Sequence, residues 1–307
     1  MKVSDLSLTQ LTRLLRRGDF VLKLPPFVVR IEADVPSLSR DIALMYAEFG
    51  VFAEPNHDNF ADFHVGVKLD SGLRRWVKPI ARFSFDGQPS FTGLPAAQAF
   101  AMLEWGMNWC VAAHSHQYLV IHAAVIEKGG MAAVLPAPPG SGKSTLCAGL
   151  VMKGWRLLSD ELALYDLETG LIHGMARPIS LKNNSIDVIA SYAPNGVMSH
   201  RVPNTSKGTI AHLRPPLESI QRVAQPARAA WVILPKYKAG SPPQLVTHSR
   251  ARASMLIAEQ SFNYDTLGPA GFKAVTDLIS GAACYQFTYS QLADAERVFD
   301  ELLAGRL

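Results

Sequence analysis

Cysteine is scarce in this chain. Three in 307 residues, Cys110, Cys147 and Cys284, lie far apart, which excludes a disulfide framework and any zinc-ligand spacing. They read as buried thiols of a reducing compartment. Long apolar runs are missing too: no stretch approaches the ~20 residues needed to cross a bilayer. The best local candidate, from Cys110 to Ile126, is interrupted by His114, His116, Gln117 and His122. Residues 1–19 carry charges but neither an uninterrupted apolar core nor a small-residue cleavage site, so they do not read as a signal peptide. The expected location is cytoplasmic, with no membrane partner. Charge is sparse as well: 18% of residues, with 30 Lys+Arg against 26 Asp+Glu, a net +4 too mild to call for nucleic acid by itself. Repeats and low-complexity tracts are absent.

What is present is globular. The chain is 48% hydrophobic with 22 Gly and 20 Pro, which excludes disorder, and its length suits one large domain or two ordinary ones. A short amphipathic helix opens it, capped by Asp5 or Ser7, with Leu11, Leu14 and Leu15 on one face and Gly18 as its stop. Pro25-Pro26 break the chain before the β-branched strand Phe27–Ile31. A second helix starts at Ser37 or Ser39, runs through Ile42, Met45 and Tyr46, and ends near Gly50. Phe63–Leu69 and Trp76–Phe85 alternate with period two and are expected to pair as a meander, closed by the Asp86-Gly87 turn. A long helix follows from about Pro95 to Cys110, with Phe100, Leu103 and Met107 on one stripe. Its aromatic residues, Phe100, Trp105 and Trp109, read as core.

From Tyr118 the texture changes to strands, small residues and turns. Tyr118–Ile126 is a buried-strand run, Lys128-Gly129-Gly130 turns it, and Met131–Leu135 is a second strand. Directly after it come Ala137-Pro138-Pro139-Gly140-Ser141-Gly142-Lys143-Ser144-Thr145 and then the helical run Leu146–Met152, ended by Gly154. Strand, glycine-bearing loop and helix is the context that a Walker A phosphate loop requires. Gly140 and Gly142 let backbone N–H groups turn inward around phosphate oxygens, and the helix dipole favours the anion. In such a loop Lys143 reaches the β- and γ-phosphates and the Ser144 hydroxyl ligates Mg²⁺. Ala137 stands where the pattern has its first glycine, which is tolerated provided its φ need not be positive.

Ten residues beyond that helix, Arg156–Asp166 places two adjacent acids, Asp160 and Glu161, at the end of an apolar run. The run is expected to neighbour the phosphate loop in the sheet, with one acid for Mg²⁺ and the second for the nucleophile's proton. No Asn-Lys-x-Asp base-reading motif occurs, which sets aside GTPase logic, and no Leu-Ser-Gly-Gly-Gln signature of a transporter ATPase is found.

Three features together resemble the catalytic domain of the HPr kinase/phosphorylase family. His122 stands in a strand about twenty residues before Lys143, where that family has Val-His-Gly. Pro139–Ser144 matches its phosphate loop, and Lys153–Glu161 is similar to its Arg-Gly-His-Arg-Leu-x-Ala-Asp-Asp. The likeness covers residues 118–166 well. It is stronger to the HprK-related kinase A branch, along most of the chain, through Leu135–Ser144 and Pro178–Asn183. The resemblance implies an α/β P-loop fold of the phosphoenolpyruvate-carboxykinase-like type, ATP (or GTP or pyrophosphate) as donor with Mg²⁺, and transfer to a serine hydroxyl. It implies Asp160 as the base for that hydroxyl, with His122 tuning or orienting it, and the family's hexamers suggest a homo-oligomer by analogy. Two departures stand out. Glu161 and Leu162 replace an aspartate and a basic residue, and Ala176–Asn183 stands where the family has Glu-Ile-Arg-Gly. Glu161 is therefore the candidate for the missing metal-binding glutamate.

Residues 201–252 hold nine cations, Arg201, Lys207, Arg214, Arg222, Arg228, Lys236, Lys238, Arg250 and Arg252, against one acid, Glu218. Such a segment suits an acidic acceptor protein or peptide. It does not suit nucleic acid, since it lacks interleaved stacking aromatics in a recognised module. Arg177, Lys182, Lys207 and Arg214 are the candidates for phosphate or acceptor contacts. The remaining carboxyl end reads as core, with strands Ala229–Pro235 and Cys284–Tyr289 and helices around Ala251–Gln260, Phe272–Ile279 and from Leu292. The expected organisation is a small α+β domain over residues 1–115 and a P-loop kinase domain over 116–307. A nucleotide-binding regulator or ATPase, and a kinase of a small metabolite or of a ribosomally made precursor peptide, are the alternative functions.

Overall fold

The computed structural model describes residues 1–52, 60–72, 77–138 and 140–307. The chain is mixed α/β and divides into two compact units, Met1–Val111 with Val197–Arg214, and Ala112–Gly196 with Pro215–Leu307. The sequence suggested a single cut near residue 115. A linear reading misses that Val197–Arg214 returns to the first unit.

In the first unit, helix α1 (Leu8–Arg17) starts at Ser7, whose Oγ accepts from the Gln10 amide at 3.2 Å while Gln10 Oε1 accepts from the Ser7 amide at 2.8 Å. This is a reciprocal capping box, and Ser7→Ala is expected to destabilise the unit by about 1 kcal/mol in urea unfolding. Strands β1 (Phe20–Leu24) and β2 (Phe27–Ala33) form an antiparallel hairpin whose turn is Pro25-Pro26, so the prolines that break one strand join two. Helix α2 (Pro36–Met45) leads on to β3 (Phe63–Leu69), which pairs parallel with β2 and antiparallel with β4 (Ile80–Phe85). Trp76, expected in that last strand, lies outside the described residues.

Two short strands, β5 (Gln88–Pro89) and β6 (Leu94–Pro95), complete the sheet on β4. Helix α3 (Ala99–His114) begins four residues later than expected, after a 3₁₀ turn. It buries Phe100, Leu103 and Met107 as the stripe required. Gly106 is needed in this helix because a Cβ there would come within 2.1 Å of the Phe83 ring of β4. The returning hairpin, β13 (Val202–Thr205) with β14 (Gly208–Leu213), packs Val202 and Ile210 against Ala101 and Trp105 of α3. Apolar contact therefore assigns it to this unit.

The second unit is built on an eight-stranded mixed sheet. Its strands are β7 (Tyr118–Lys128), β8 (Met131–Pro136), β9 (Arg156–Ser159), β10 (Leu162–Asp166), β11 (Ile172–His173), β15 (Arg228–Tyr237), β16 (Gln244–Thr247) and β17 (Ala283–Tyr289). Along the sheet the order is β11-β10-β7-β8-β15-β17-β16, with β9 also on β7. β7 and β8 form an antiparallel hairpin, and β15 lies parallel between β8 and β17.

Leu119, Ile121, Ala123 and Val125 of β7 join a buried cluster with Ala253 and Ile257 of α7 (Arg250–Glu259) and with Ala274, Val275 and Leu278 of α9 (Pro269–Gly281). Val120, Ala124 and Ile126 point to the other face by strand alternation and are equally buried. Both faces are thus covered, which explains why β7 reads as a continuous apolar run. The helix after β8, α4 (Lys143–Val151), packs against β7 and against α10 (Leu292–Leu303). Strand β12 (Ile179–Lys182) and the short helices α5 (Asn184–Tyr192), α6 (Leu217–Gln221) and α8 (Tyr264–Leu267) complete the unit.

A buried ion pair crosses its core. Arg156, its side chain 3% exposed, donates to Glu127, whose side chain is 0% exposed, and its Nη1 also donates to the carbonyls of Arg222 and Gln225 at 2.7 and 2.8 Å. All three cysteines are free and buried. Among the described residues no helix is long and apolar enough to cross a membrane.

Candidate functional site

The C-terminal ends of the parallel strands converge on one edge of the second unit's sheet. β8 ends at Pro136 and the chain enters the loop, with Ser141 N–H turned back to the Pro138 carbonyl at 3.3 Å. Pro139 lies outside the described residues. Gly140 and Gly142 have φ of +86° and +92°, in the left-handed region, whereas Ala137 is not among the described residues with positive φ. The glycines sit where the turn needs them, and the alanine where it does not. Helix α4 begins at Lys143, with Ser144 and Thr145 in its first turn.

Gly142 is constrained twice. A Cβ built on it would lie 2.6 Å from the Tyr289 hydroxyl and 3.0 Å from Tyr237 Cβ. Tyr289 donates that hydroxyl to the Gly142 carbonyl at 3.0 Å, and the Tyr237 amide donates to the Ser141 carbonyl at 2.9 Å. Burial, and then the neighbouring Tyr237, pushes the Tyr289 phenol above its usual range, which keeps it a donor.

The two acids reach the loop by a route the sequence did not suggest. Their strands do not neighbour β8, because β7 occupies that side. β10 and β9 pair with β7 instead, and Asp160-Glu161 form the corner between them. The β7–β8 register sets Ala123 opposite Pro136, so His122 stands level with the start of the loop and the corner comes to the same edge.

Asp160 is 4% exposed. Its Oδ2 accepts the Ser180 amide at 3.1 Å. Burial, with the like charge of Glu161, pushes its carboxyl up to about 6, against the pull of Lys143, the Ser180 amide and the Ser144 hydroxyl. For Glu161, burial acts upward, but the His122 hydrogen bond, Lys143 and Lys182 outweigh it and hold the carboxyl down at about 2. The two neighbours are thus driven apart, one poised to take a proton and one held as an anion.

His122 turns to Glu161 and not to Asp160, which the sequence suggested as its partner. Its Nε2 lies 3.2 Å from Glu161 Oε2 and its Nδ1 3.3 Å from Gln260 Oε1. With Glu161 ionised, Nε2 carries the proton that it donates to that carboxylate. The segment carrying Gln260 is fastened along β7: Gln260 accepts the His122 amide at 2.7 Å, Phe262 donates to Val120 at 2.9 Å, and the buried Asn263 side chain bonds both the Val120 amide and the Tyr118 carbonyl.

Four buried side-chain atoms without a hydrogen-bond partner gather here: Ser141 Oγ, Lys143 Nζ, Asp160 Oδ1 and Ser180 Oγ. An unpartnered buried group ordinarily costs about 1–3 kcal/mol, and a charged one more. Lys143 is the clearest case, at 7% exposure, with burial drawing its ammonium below its usual range despite both acids. The donor set fits a phosphate on the lysine and loop amides. It also fits Mg²⁺, which needs few protein oxygens because it keeps waters and takes phosphate; Ser144, Glu161 and Asp160 offer those oxygens. Among the described residues no group of three or more His, Cys, Asp or Glu is assembled as a metal cage.

Of the basic candidates, Lys182 acts electrostatically on Lys143 and Glu161. Arg177, 8% exposed, follows Met175 and Ala176, whose amides both donate to the Leu158 carbonyl at the end of β9. Lys207 and Arg214 belong to the first unit, Lys207 over the Trp105 ring at 5.0 Å and Arg214 donating to the Leu44 carbonyl at 3.4 Å. Arg222 is structural, paired with Glu218 at 2.7 Å and Glu127 at 3.5 Å. The run of nine cations is therefore divided between two units and several duties. Sequence reasoning missed Ser180, Gln260, Tyr237 and Tyr289. Of these only Tyr237 left a signal, an aromatic between two lysines at the end of an apolar strand.

No family model matches the chain, and no curated protein matches it. Among solved structures the chain is similar to the Hpr(Ser) kinase/phosphatase from Coxiella burnetii, at 11% identity and a TM-score of 0.25, over 61% of this chain and 98% of that one. At that level no residue role passes from one to the other.

Proposed function

We propose that the second unit is an ATP- and Mg²⁺-dependent phosphotransferase that moves the γ-phosphoryl group to a serine hydroxyl of a small protein or peptide. The observation that carries this reading is Lys143, a buried ammonium without a partner at the start of a helix, directly behind a glycine of positive φ. A charge held so is compensated by an anion that the loop amides also bind.

Asp160 takes the hydroxyl proton as the oxygen attacks phosphorus and the bond to the leaving diphosphate breaks. Its raised proton affinity suits that task better than that of Glu161. Glu161, kept ionised by His122, Lys143 and Lys182, supplies a standing negative charge near Lys143. Mg²⁺, when bound, supplies neutralisation of the β- and γ-phosphate oxygens. Lys143, with Lys182 near it, stabilises the charge that develops on the transferred group.

The test is incubation of the purified chain with Mg²⁺ and γ-labelled ATP, GTP or pyrophosphate, in the presence of small acidic proteins and serine peptides, with Asp160→Asn alongside. Label on an acceptor serine that disappears in the variant supports the kinase. Free phosphate alone, at a rate indifferent to every acceptor, replaces it with a nucleotide-hydrolysing regulator.

A further inference from the structure

The loop has two flanks, and they carry different residues. In the sheet order β10-β7-β8-β15 the acids come from the β10 side of the loop strand, while Tyr237 ends β15 on the opposite side. In-line transfer sets the acceptor and the leaving diphosphate on opposite sides of the transferred phosphorus. With the acceptor hydroxyl at Asp160, the nucleoside end of the donor runs away from the acids, towards β15.

Tyr237 is built as a platform at that end. It is 53% exposed, and its amide is held by the Ser141 carbonyl. Beneath it stands Tyr289, 2% exposed, its register partner across β15 and β17. The two rings meet edge-on, at 5.9 Å and 73°, and Tyr289 stacks in turn on Phe287 at 5.4 Å and 6°. The neighbouring Lys238 amide is tied to the Tyr289 carbonyl at 2.9 Å. An aromatic ring in water, fixed by main-chain bonds and an aromatic buttress, is ready to stack without losing further freedom. Lys236 and Lys238 flank it, both exposed.

We propose that Tyr237 is the base platform of the donor site, stacking the nucleobase of a nucleoside triphosphate whose phosphates lie on Gly140–Ser144. This inference rests on the reading of that loop as a phosphate site. Stacking reads no hydrogen-bond pattern, so it accepts any purine. ATP and GTP are thus expected to bind within a few-fold of one another. Inorganic tripolyphosphate, which has nothing to stack, is expected to bind about ten- to a hundred-fold more weakly than either.

The test measures Mg²⁺-dependent binding of ATP, GTP and inorganic tripolyphosphate by calorimetry to the full chain, to Tyr237→Ala and to Tyr237→Phe. The expected result is a loss of about ten- to a hundred-fold for both nucleotides in Tyr237→Ala, near-unchanged binding in Tyr237→Phe, and tripolyphosphate affinity unmoved in both. Equal losses for nucleotide and tripolyphosphate would mean that Tyr237 acts only by shaping the loop, and the proposal falls. It falls as well if Tyr237→Ala binds ATP normally, or if the change appears only in the KM of an acceptor. In those cases tripolyphosphate binding by the wild-type chain keeps the phosphate-loop reading intact. If the wild-type chain binds neither nucleotide nor tripolyphosphate, the reading of the loop itself fails and takes the platform with it.

Discussion

Asp160→Asn is expected to abolish most of the activity and, in the ligand-free chain, to raise stability. In its proposed role of general base the carboxylate would contribute about 10²- to 10⁴-fold to transfer, and an amide cannot accept the proton. The stability effect follows from its environment. The folded carboxyl is pushed up to about 6 from its usual 3.8, so between those values the folded chain binds more protons than the unfolded one. Stability therefore falls as pH rises through this window. It is fully present below about pH 4 and lost above about pH 6. At 1.36 kcal/mol per pKa unit the ionised carboxylate costs on the order of 2–3 kcal/mol at neutral pH. Glu161 behaves in the opposite sense: held down at about 2, it contributes stability above its usual range that is lost on acidification. Urea midpoints of wild type and Asp160→Asn, followed from pH 4 to pH 8, should coincide at the acid end and separate in favour of the variant above pH 6. A variant less stable at pH 7, or a difference independent of pH, would sink this account.

The largest purely structural effect is expected at Glu127. Glu127→Ala leaves the Arg156 guanidinium buried with two carbonyls and no counter-charge, and breaking one side of a buried pair costs about 3–5 kcal/mol. For a unit of this size that lowers the melting temperature by about 10 °C. Replacing both partners, Glu127→Met with Arg156→Met, is expected to recover most of the loss, since no buried charge is left stranded and the half-exposed Arg222 keeps Glu218. Differential scanning calorimetry of the single and double variants decides it. A double variant as unstable as the single one would show that the pair contributes directly, beyond mutual compensation.

Stability and chemistry are coupled in this site. Unpartnered Lys143 Nζ and Asp160 Oδ1 lie where a donor and its metal are expected, so ligand binding should stabilise the second unit by mass action.

The sequence alone determined whatever is local. The loop Gly140–Ser144 is one contiguous stretch whose glycines, lysine and serine are placed by their own backbone and the next helix turn. Its place between an apolar strand and a helix was legible without a fold. The Ser7 cap, the Gly18 stop and the period-two strands β3 and β4 were legible for the same reason. Tertiary structure decided what pairs across long stretches of chain. The family resemblance pairs His122 with Asp160, but the antiparallel register of β7 and β10 sets it opposite Leu162, and its ring meets Glu161. Gln260, about 140 residues from His122, joins it only because the segment through Asn263 is fastened along β7. The basic run is continuous in the sequence, yet the contacts of Val202 and Ile210 with α3 carry its first part into the other unit. Charge along a sequence says nothing of where the chain turns back. That is decided by which apolar side chains find one another, and here they set the Gly140–Ser144 loop between two tyrosines on one flank and two acids on the other.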